Sequence, residues 1–411
     1  MTQDILQGSR ILLGVTGGIA CYKSADLCRQ LIKAGAEVQV IMTHSATEFV
    51  APLTFETLSG RPVYLDMFER NRAWEIEHVA FARWGDALLI APATANTIAK
   101  LAAGLADDPL TTTVLAFRGP VVVVPAMNTA MWEHGQTREN IERLRGRGVR
   151  IVEPEKGKLA CGEEGAGRLP DAGKILDAMA AALADSRAAG PLAGKNVLIT
   201  AGPTAEPIDP VRFLSNASSG RMGFALAAEA QRRGARVTLV VGPTQLEPPA
   251  RVAKVVKVGT TREMRDAVLA ELTGQDICVF CAAPADYAPE SPAAQKIKKE
   301  STGDAVALRL VRTPDIAKEA AARRKPGQIL VGFAAETSNV VEQARAKMEA
   351  KGFDVMVANE VSSENPAFGA AENAVTLLAR SGARLDVPKA AKEDVAAEIW
   401  NFLVEHVLAA S

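Results

Sequence analysis

Runs of valine, isoleucine, leucine and alanine recur along the chain, each followed by a segment with helical spacing. The first run, "RILLGV", leads into a glycine turn. A helix-spaced stretch follows, in which Leu27 and Leu31 stand four apart and share one face. After "AGAEV" comes a second apolar run, "VQVIMT". The same order starts again at "KNVLITAGPT", with a longer insert before the helical "RMGFALAAEAQRRGARV" and the strand "VTLVVG". Further runs stand at "DALLIAP", "PVVVVPAM", "DICVFCAA", "QILVGFAAE" and "FDVMVANE". Strands that are apolar on both faces suit parallel sheets covered by crossover helices. The pattern predicts an α/β protein of two Rossmann-like three-layer domains, each an open parallel sheet. Between the two plans, "LADSRAAGPLAGK" (183–195) is small and polar and contains Pro and Gly. It reads as an interdomain linker, with domains at 1–190 and 191–411.

Composition narrows the classes of function. A chain of 411 residues exceeds one ordinary core, and 48% hydrophobic with 23% charged residues is typical of a soluble globular protein. A net charge of −1 provides no bulk field for nucleic acid or an acidic membrane. No basic flank precedes a long apolar run, so neither a signal peptide nor a membrane span is expected. Five cysteines without framework spacing suit a reducing cytoplasm. Cys278 and Cys281 form a C-x-x-C, but in a strand positions i and i+3 face opposite sides, which argues against a redox pair or a metal site. The four histidines, His44, His78, His134 and His406, lie far apart and do not support zinc.

Four motifs in the first half fall at strand ends, where open α/β sheets bind ligands. "GVTGGIACYK" offers backbone amides and a helix N-terminus, a ready anion site, without the full dinucleotide fingerprint. "MTHSATEF" offers the hydroxyls of Thr43 and Ser45, and "APATANTIAK" those of Thr94 and Thr97 with the amide of Asn96. Each alone is equally a helix cap. Together they favour a phosphate-bearing mononucleotide cofactor. In "PAMNTAMW", Asn128 sits at a strand's end among apolar side chains, where a substrate carboxylate would partner its amide; a turn asparagine is the plainer alternative. His78, in "WEIEHVAFARW", falls on an amphipathic helix and by itself reads as structural. "LACGEEGAGRL" places Cys161 on a polar, glycine-rich loop that cannot form a core, an unusual setting for a thiol.

"GGIACYK", "EHVAFAR", "APATANTIAK", "PAMNTAMW" and "ACGEEGAGRL" together resemble the flavin-dependent cysteine decarboxylases, over residues 8 to 182. The resemblance implies a flavodoxin-related sheet that binds FMN and trimers with active sites between subunits. It places FMN against Gly18, Ile19, Ala20, Thr43, Ser45, Thr94, Ala95, Asn96, Thr97 and Ala126. It makes His78 catalytic, gives the substrate carboxylate to Asn128 and makes Cys161 the proton donor, with Arg168 of the flap also toward the anionic substrate. The implied chemistry accounts for the exposed thiol. Oxidation of the substrate's CH₂–SH to a thioaldehyde gives the electrons released with CO₂ a place to go, as an ene-thiolate. Hydride return then requires a proton at carbon. A thiol with a pKa near ~8.5 is mostly protonated at neutral pH and can supply it from under a closing flap.

In the second half, "SNASSGRMG" opens a helix with hydroxyls, an amide and glycines, again fit for phosphate. "KIKK" (296–299) is a cation-rich loop that is equally a solvated face, while "RTPDIAKEAA" and "GFAAET" supply a helix start and a strand end. With "AAPADY", these motifs resemble phosphopantothenate–cysteine ligase over residues 194 to about 405. The whole chain therefore resembles the bacterial bifunctional enzymes of coenzyme A biosynthesis. That resemblance implies attack of the 4′-phosphopantothenate carboxylate on the α-phosphate of CTP, with Mg²⁺, and displacement of CMP by the amine of cysteine. It places CTP against Cys281, Ala282, Asp286, Lys296, Pro314, Asp315, Ile316, Ala317, Phe333, Lys347 and Lys351. Lys296 serves the first step and Asn216 handles the acyl-cytidylate; protein ligands for the metal are not indicated. Homo-oligomers are implied, from trimeric decarboxylase and dimeric ligase units up to a dodecamer. Two other readings stand beside this one: a flavin reductase fused to an NAD(P)-binding domain, and a non-catalytic regulatory homologue. The missing dinucleotide fingerprint weighs against the former. The presence of His78, Asn128, Cys161, Asn216 and Lys296 weighs against the latter.

Overall fold

The computed structural model describes residues 2–68, 77–158, 162, 164–298, 306–336, 339–360 and 372–409. The chain divides into two compact units, Met1–Ala188 and Ala189–Ser411.

In the first unit, β1 (Arg10–Val15), β2 (Glu37–Met42), β3 (Ala87–Ala93), β4 (Val121–Pro125) and β5 (Arg150–Ile151) form one sheet in the order β2-β1-β3-β4-β5. Every pair is parallel. Alternate residues of β1 enter different cores: Ile11, Leu13 and Val15 join the layer containing Leu27 and Leu31, while Leu12 joins the layer of Leu110 and Trp132. Strand periodicity therefore gives the sheet two apolar faces, each covered by helices. β2 and β3 flank β1 on opposite sides, so the winding reverses at β1 and leaves a crevice at the carboxyl ends. A hairpin of β6 (Glu155–Lys158) and β7 (Glu164–Arg168) stands apart from this sheet.

The linker expected from Leu183 is helical over its first residues. The helix Ala172–Ala188 runs through them, with Leu183 buried and Arg187 donating to Ile5 O (3.0 Å) and Ser9 Oγ (2.9 Å). The alanines that look like linker are strong helix formers, and packing against the unit's N-terminus recruits them.

The second unit has eight strands in its main sheet: β8 (Asn196–Ala201), β11 (Arg236–Val241), β12 (Lys254–Lys257), β13 (Ile277–Phe280), β16 (Ile329–Glu336), β17 (Val355–Glu360), β18 (Glu372–Ala379) and β19 (Arg384–Ala391). Short pairs β9 (Ala205–Pro207) with β10 (Phe213–Ser215), and β14 (Tyr287–Pro289) with β15 (Leu310–Arg312), sit outside it. The order is β12-β11-β8-β13-β16-β17-β18-β19. The expected parallel pairing holds from β12 to β17. It fails at one edge, where β17–β18 and β18–β19 are antiparallel. The segment "ENAVTLLARSGARLDV" has the period-two alternation of a hairpin, with Gly382 at φ 97° in the turn. Helices Arg221–Arg232 and Lys392–Leu403 cover one face together: Arg233 reaches Ala397 O and Asn401 Oδ1, and Trp400 Nε1 donates to Leu226 O.

Candidate functional site

The crevice of the first unit is built from strand tips. Thr16, one residue beyond β1, is buried; its Oγ1 donates to Pro92 O (2.7 Å) and accepts from Thr94 N (3.1 Å). One hydroxyl thus ties the ends of β1 and β3. The Ala126 amide joins Ala93 O at 3.1 Å and the Thr43 amide joins Val15 O at 3.0 Å, so four neighbouring tips are held in line. Thr94 caps the helix Ala95–Ala103, accepting from Thr97 N (3.3 Å) and sharing a hydroxyl bond with Thr97 Oγ1 (3.1 Å). Gly17 comes so near Ser45 that an added Cβ would lie 2.3 Å from the serine Cβ.

Gly18, Thr43, Ser45, Thr94, Thr97 and Ala126 are therefore brought to one rim. Ile19 and Ala20 begin the turn into the helix Tyr22–Lys33, while Ala95 and Asn96 open the helix capped by Thr94. The Thr43 hydroxyl is shielded from water and has no hydrogen-bond partner. A buried polar group without a partner is uncommon in a native fold. A glycine cradle with an unsatisfied hydroxyl fits a phosphate-bearing cofactor such as a flavin mononucleotide.

The β6–β7 hairpin is rooted on the turn that carries Asn128. Met127 N donates to Gly167 O (3.0 Å), and a Cβ on Gly167, at φ 147°, would stand 2.1 Å from Met127 O. A Cβ on Gly165 would stand 2.3 Å from Thr129 Oγ1. The glycines of "EEGAGRL" thus allow a close approach, Gly167 to the Met127 backbone and Gly165 to the Thr129 side chain, that a larger residue would block. Asn128 caps the helix Thr129–Glu133, its Oδ1 accepting from Ala130 N at 2.8 Å. Cys161 lies outside the described residues. Arg168 is engaged at the hairpin's root by Glu155 (3.3 Å) and Asp171 (3.4 Å). A hydrogen bond from Lys174 lowers the Glu155 carboxyl's pKa. His78 is half-buried on the helix Glu77–Trp84, which packs through Phe81 onto Tyr64 with ring centroids 5.2 Å apart. Among the described residues, no hydrogen bond ties His78 to the cradle.

The second unit contains a cleft of about 560 Å³. Ala282 and Asp286 line it from the loop after β13, and Pro314, Asp315, Ile316 and Ala317 from the start of the helix Ile316–Ala322. Phe333 of β16 and Lys347 and Lys351 of the helix Val340–Lys351 complete that set. Asp315 caps its helix by accepting from Lys318 N (3.1 Å) and pairs with Lys351 at 2.9 Å. Burial works against the Asp315 charge, yet Lys351 and the Lys318 amide together hold its pKa below the usual carboxylate value. Lys347 pairs with Glu336. Sequence reasoning missed the apolar end of the cleft, where Phe280, Phe353, Met264 and Met356 line the wall and the two phenyl rings lie 5.8 Å apart. It also missed Tyr287, Arg312 and Thr313 on the rim. Periodicity marks the first group as ordinary core, and only the loop geometry exposes the second.

Asn216 joins the loop from the other side, its Nδ2 donating to Ala283 O (3.1 Å) and Pro284 O (3.0 Å). Two expected nucleotide contacts are not in the cleft wall. Cys281 packs with the core on the opposite face of the sheet, and burial pushes its thiol up to about 12. Lys296 is exposed, in the segment after β14. No cluster of three or more His, Cys, Asp or Glu side chains able to hold a metal occurs among the described residues, and no described helix is long and apolar enough to cross a membrane.

A parallel sheet with a mononucleotide-type cradle, followed by a second sheet with a cleft lined by paired lysines and carboxylates, defines a two-site α/β enzyme whose first half is of the flavoprotein class. The family described as "Flavoprotein" matches residues 2–184, and "DNA/pantothenate metabolism flavoprotein C-terminal domain" matches residues 192–407. The chain is 46% identical over 395 residues to the coenzyme A biosynthesis bifunctional protein CoaBC of Bacillus subtilis (strain 168), covering 96% of each chain. It is 46% identical over 377 residues to that of Vibrio vulnificus (strain CMCP6), covering 92% of this chain and 93% of the relative. A solved structure of the C-terminal domain of a CoaBC protein aligns with TM-score 0.45 at 38% identity, covering 54% of this chain and 99% of that one. The chain belongs to the family of coenzyme A biosynthesis bifunctional proteins, enzymes that join a flavoprotein decarboxylase to a ligase in one polypeptide.

Proposed function

We propose that the second unit couples cysteine to 4′-phosphopantothenate at the expense of CTP. The first unit, with FMN, then decarboxylates the product to 4′-phosphopantetheine. The observation that carries this reading is the cleft. Ala282, Asp286, Pro314, Asp315, Ile316, Ala317, Phe333, Lys347 and Lys351, scattered in sequence, line one space with an apolar end for a base and a cationic rim for phosphates.

In the ligase reaction the substrate carboxylate displaces pyrophosphate from CTP, and the cysteine amine then displaces CMP. Catalysis of such transfers is largely positioning and neutralisation of charge. Lys347, Lys351 and Lys296 would meet the phosphates, and Mg²⁺ would be carried in mainly by the triphosphate. Asn216 fixes the Ala283–Pro284 carbonyls and so sets the wall on which the acyl-cytidylate lies. Asp286, in the same wall, would orient the nucleotide.

In the decarboxylase unit, Gly18, Ile19 and Ala20 would hold FMN through the turn, and Thr43, Ser45, Thr94, Ala95, Asn96, Thr97 and Ala126 along the strand tips. Bound flavin supplies reversible two-electron oxidation of the substrate's thiol-bearing carbon. Asn128 holds the departing carboxylate, from a turn braced by the hairpin root. His78 would serve the reacting group from its helix, and Cys161 would deliver the proton that completes the saturated thiol. The exposed apolar side chains of Ile19, Tyr22, Phe49 and Leu53 on the cradle unit support assembly with further copies of this chain. A cytoplasmic location suits the five cysteines without framework spacing.

One incubation tests both halves: purified protein, 4′-phosphopantothenate, cysteine, Mg²⁺ and either CTP or ATP, with pyrophosphate and CO₂ followed separately. Both are expected with CTP. Pyrophosphate without CO₂ overturns the decarboxylase assignment; no nucleotide cleavage overturns the ligase assignment.

A further inference from the structure

We infer that Asp209 is a positioning residue for Lys296, holding the lysine's segment and Arg212 in a single clasp; this rests on the ligase reading above. Asp209 comes from "EPIDPVRF", and its side chain is 0% exposed. Its Oδ1 accepts from the amides of Val211 (2.8 Å) and Arg212 (2.9 Å), closing a tight turn. Its Oδ2 accepts from Arg212 Nε (3.0 Å), Arg212 Nη2 (2.5 Å) and, across a gap of 88 residues, the Ile297 amide (3.1 Å). Arg212 Nη2 also donates to Ile297 O at 2.9 Å, and Ala293 N donates to Ile208 O at 2.9 Å.

Lys296 therefore lies between two pinned positions, Ala293 and Ile297, in a stretch with no helix or strand of its own. Remove the carboxylate and two of the three ties to that stretch lose their organiser. Arg212 could swing free, and the Ile297 amide would lack its acceptor. Fully buried carboxylates survive only when their acceptor sites are met, and here five donors meet them. The guanidinium holds this carboxyl well below the usual carboxylate range, so the clasp stays charged at every working pH. Asp209 also neutralises Arg212 while leaving the Lys296 ammonium in solvent, where an incoming triphosphate can reach it. An ammonium stabilises developing charge best when its place is set beforehand.

The test uses the full-length protein and measures pyrophosphate release from CTP and 4′-phosphopantothenate with cysteine present, so that the acyl-cytidylate is consumed and the enzyme turns over. Asp209→Asn is expected to lower kcat by ~30-fold while KM for CTP changes less than ~3-fold, because the loss falls in the transition state. In a Lys296→Gln background the same substitution is expected to cost less than ~2-fold, since residues acting through one another are not additive. Multiplicative losses in the double variant, or an unchanged kcat in the single one, would overturn the proposal. If Asp209→Asn fails to fold, Asp209→Glu keeps the charge but moves the carboxylate by one methylene and should show the same non-additivity. Amide exchange over 293–298 in Asp209→Ala reads the clasp without chemistry: faster exchange there, beyond that at the Val211 and Arg212 amides the carboxylate also holds, is expected, and unchanged exchange over 293–298 would overturn it. Wild-type protein that releases no pyrophosphate would instead defeat the ligase reading, a separate result.

Discussion

Gly17 and Ser45 meet backbone to backbone: a Cβ on the glycine would lie 2.3 Å from the serine Cβ and 2.6 Å from its carbonyl carbon. The contact closes the β1 tip onto the β2 tip at the rim of the cradle. A methyl group there must separate the two tips, a strain of about 1–3 kcal/mol. Gly17→Ala is expected to purify with much less flavin than wild type, read from the visible absorbance. Full occupancy in that variant would show that the cradle lies elsewhere.

Thr43 makes the converse case. Its hydroxyl has no partner within the protein, so Thr43→Val removes nothing that the free fold uses. The unfolding temperature without flavin should be unchanged or slightly raised. Flavin affinity should fall by about 1 kcal/mol, roughly fivefold, for one lost hydrogen bond. Equal destabilisation with and without flavin would mean that the hydroxyl is not aimed at the cofactor.

Cys161→Ser tests the proton donor. Serine's hydroxyl is a far weaker acid than a thiol. The variant should still release CO₂ while an oxidised ene-thiol product accumulates in place of the saturated thiol, seen by mass spectrometry. Normal yield of the saturated product would assign the proton to another group.

Lys351 and Asp315 set a pH dependence for nucleotide binding. The folded Asp315 pKa is lowered, so the carboxylate remains charged as pH falls through the ordinary value of ~3.9, and the pairing is lost only below that. CTP affinity measured by calorimetry should show no step from this group between pH 8 and pH 5. In Lys351→Met burial is opposed only by the Lys318 side, so the Asp315 pKa rises and the step moves to higher pH than in the wild type, with affinity reduced about tenfold for the lost charge contact. An identical pH profile in the two proteins would separate Asp315 from the nucleotide.

The strand ends were legible in the sequence because buried parallel strands leave apolar runs and their tips leave glycines and hydroxyls. Thr43 and Thr94 could be placed from that pattern alone. The β18–β19 hairpin was not, because its alternating "NAVTLLA" lies beyond the last apolar run and pairs antiparallel. Cys281 and Ala282 are adjacent, but the strand's period of two sends the thiol into one core and leaves its neighbour at the cleft. Asp209 escaped notice for a different reason: its importance lies in a contact 88 residues away, and nothing near it in the chain announces one.

The Thr16 hydroxyl, bonded to Pro92 on one side and Thr94 on the other, works as a gauge block. It stitches the ends of two paired strands together, so the turn that leaves β1 and the helix start that leaves β3 keep a set spacing through a single side chain.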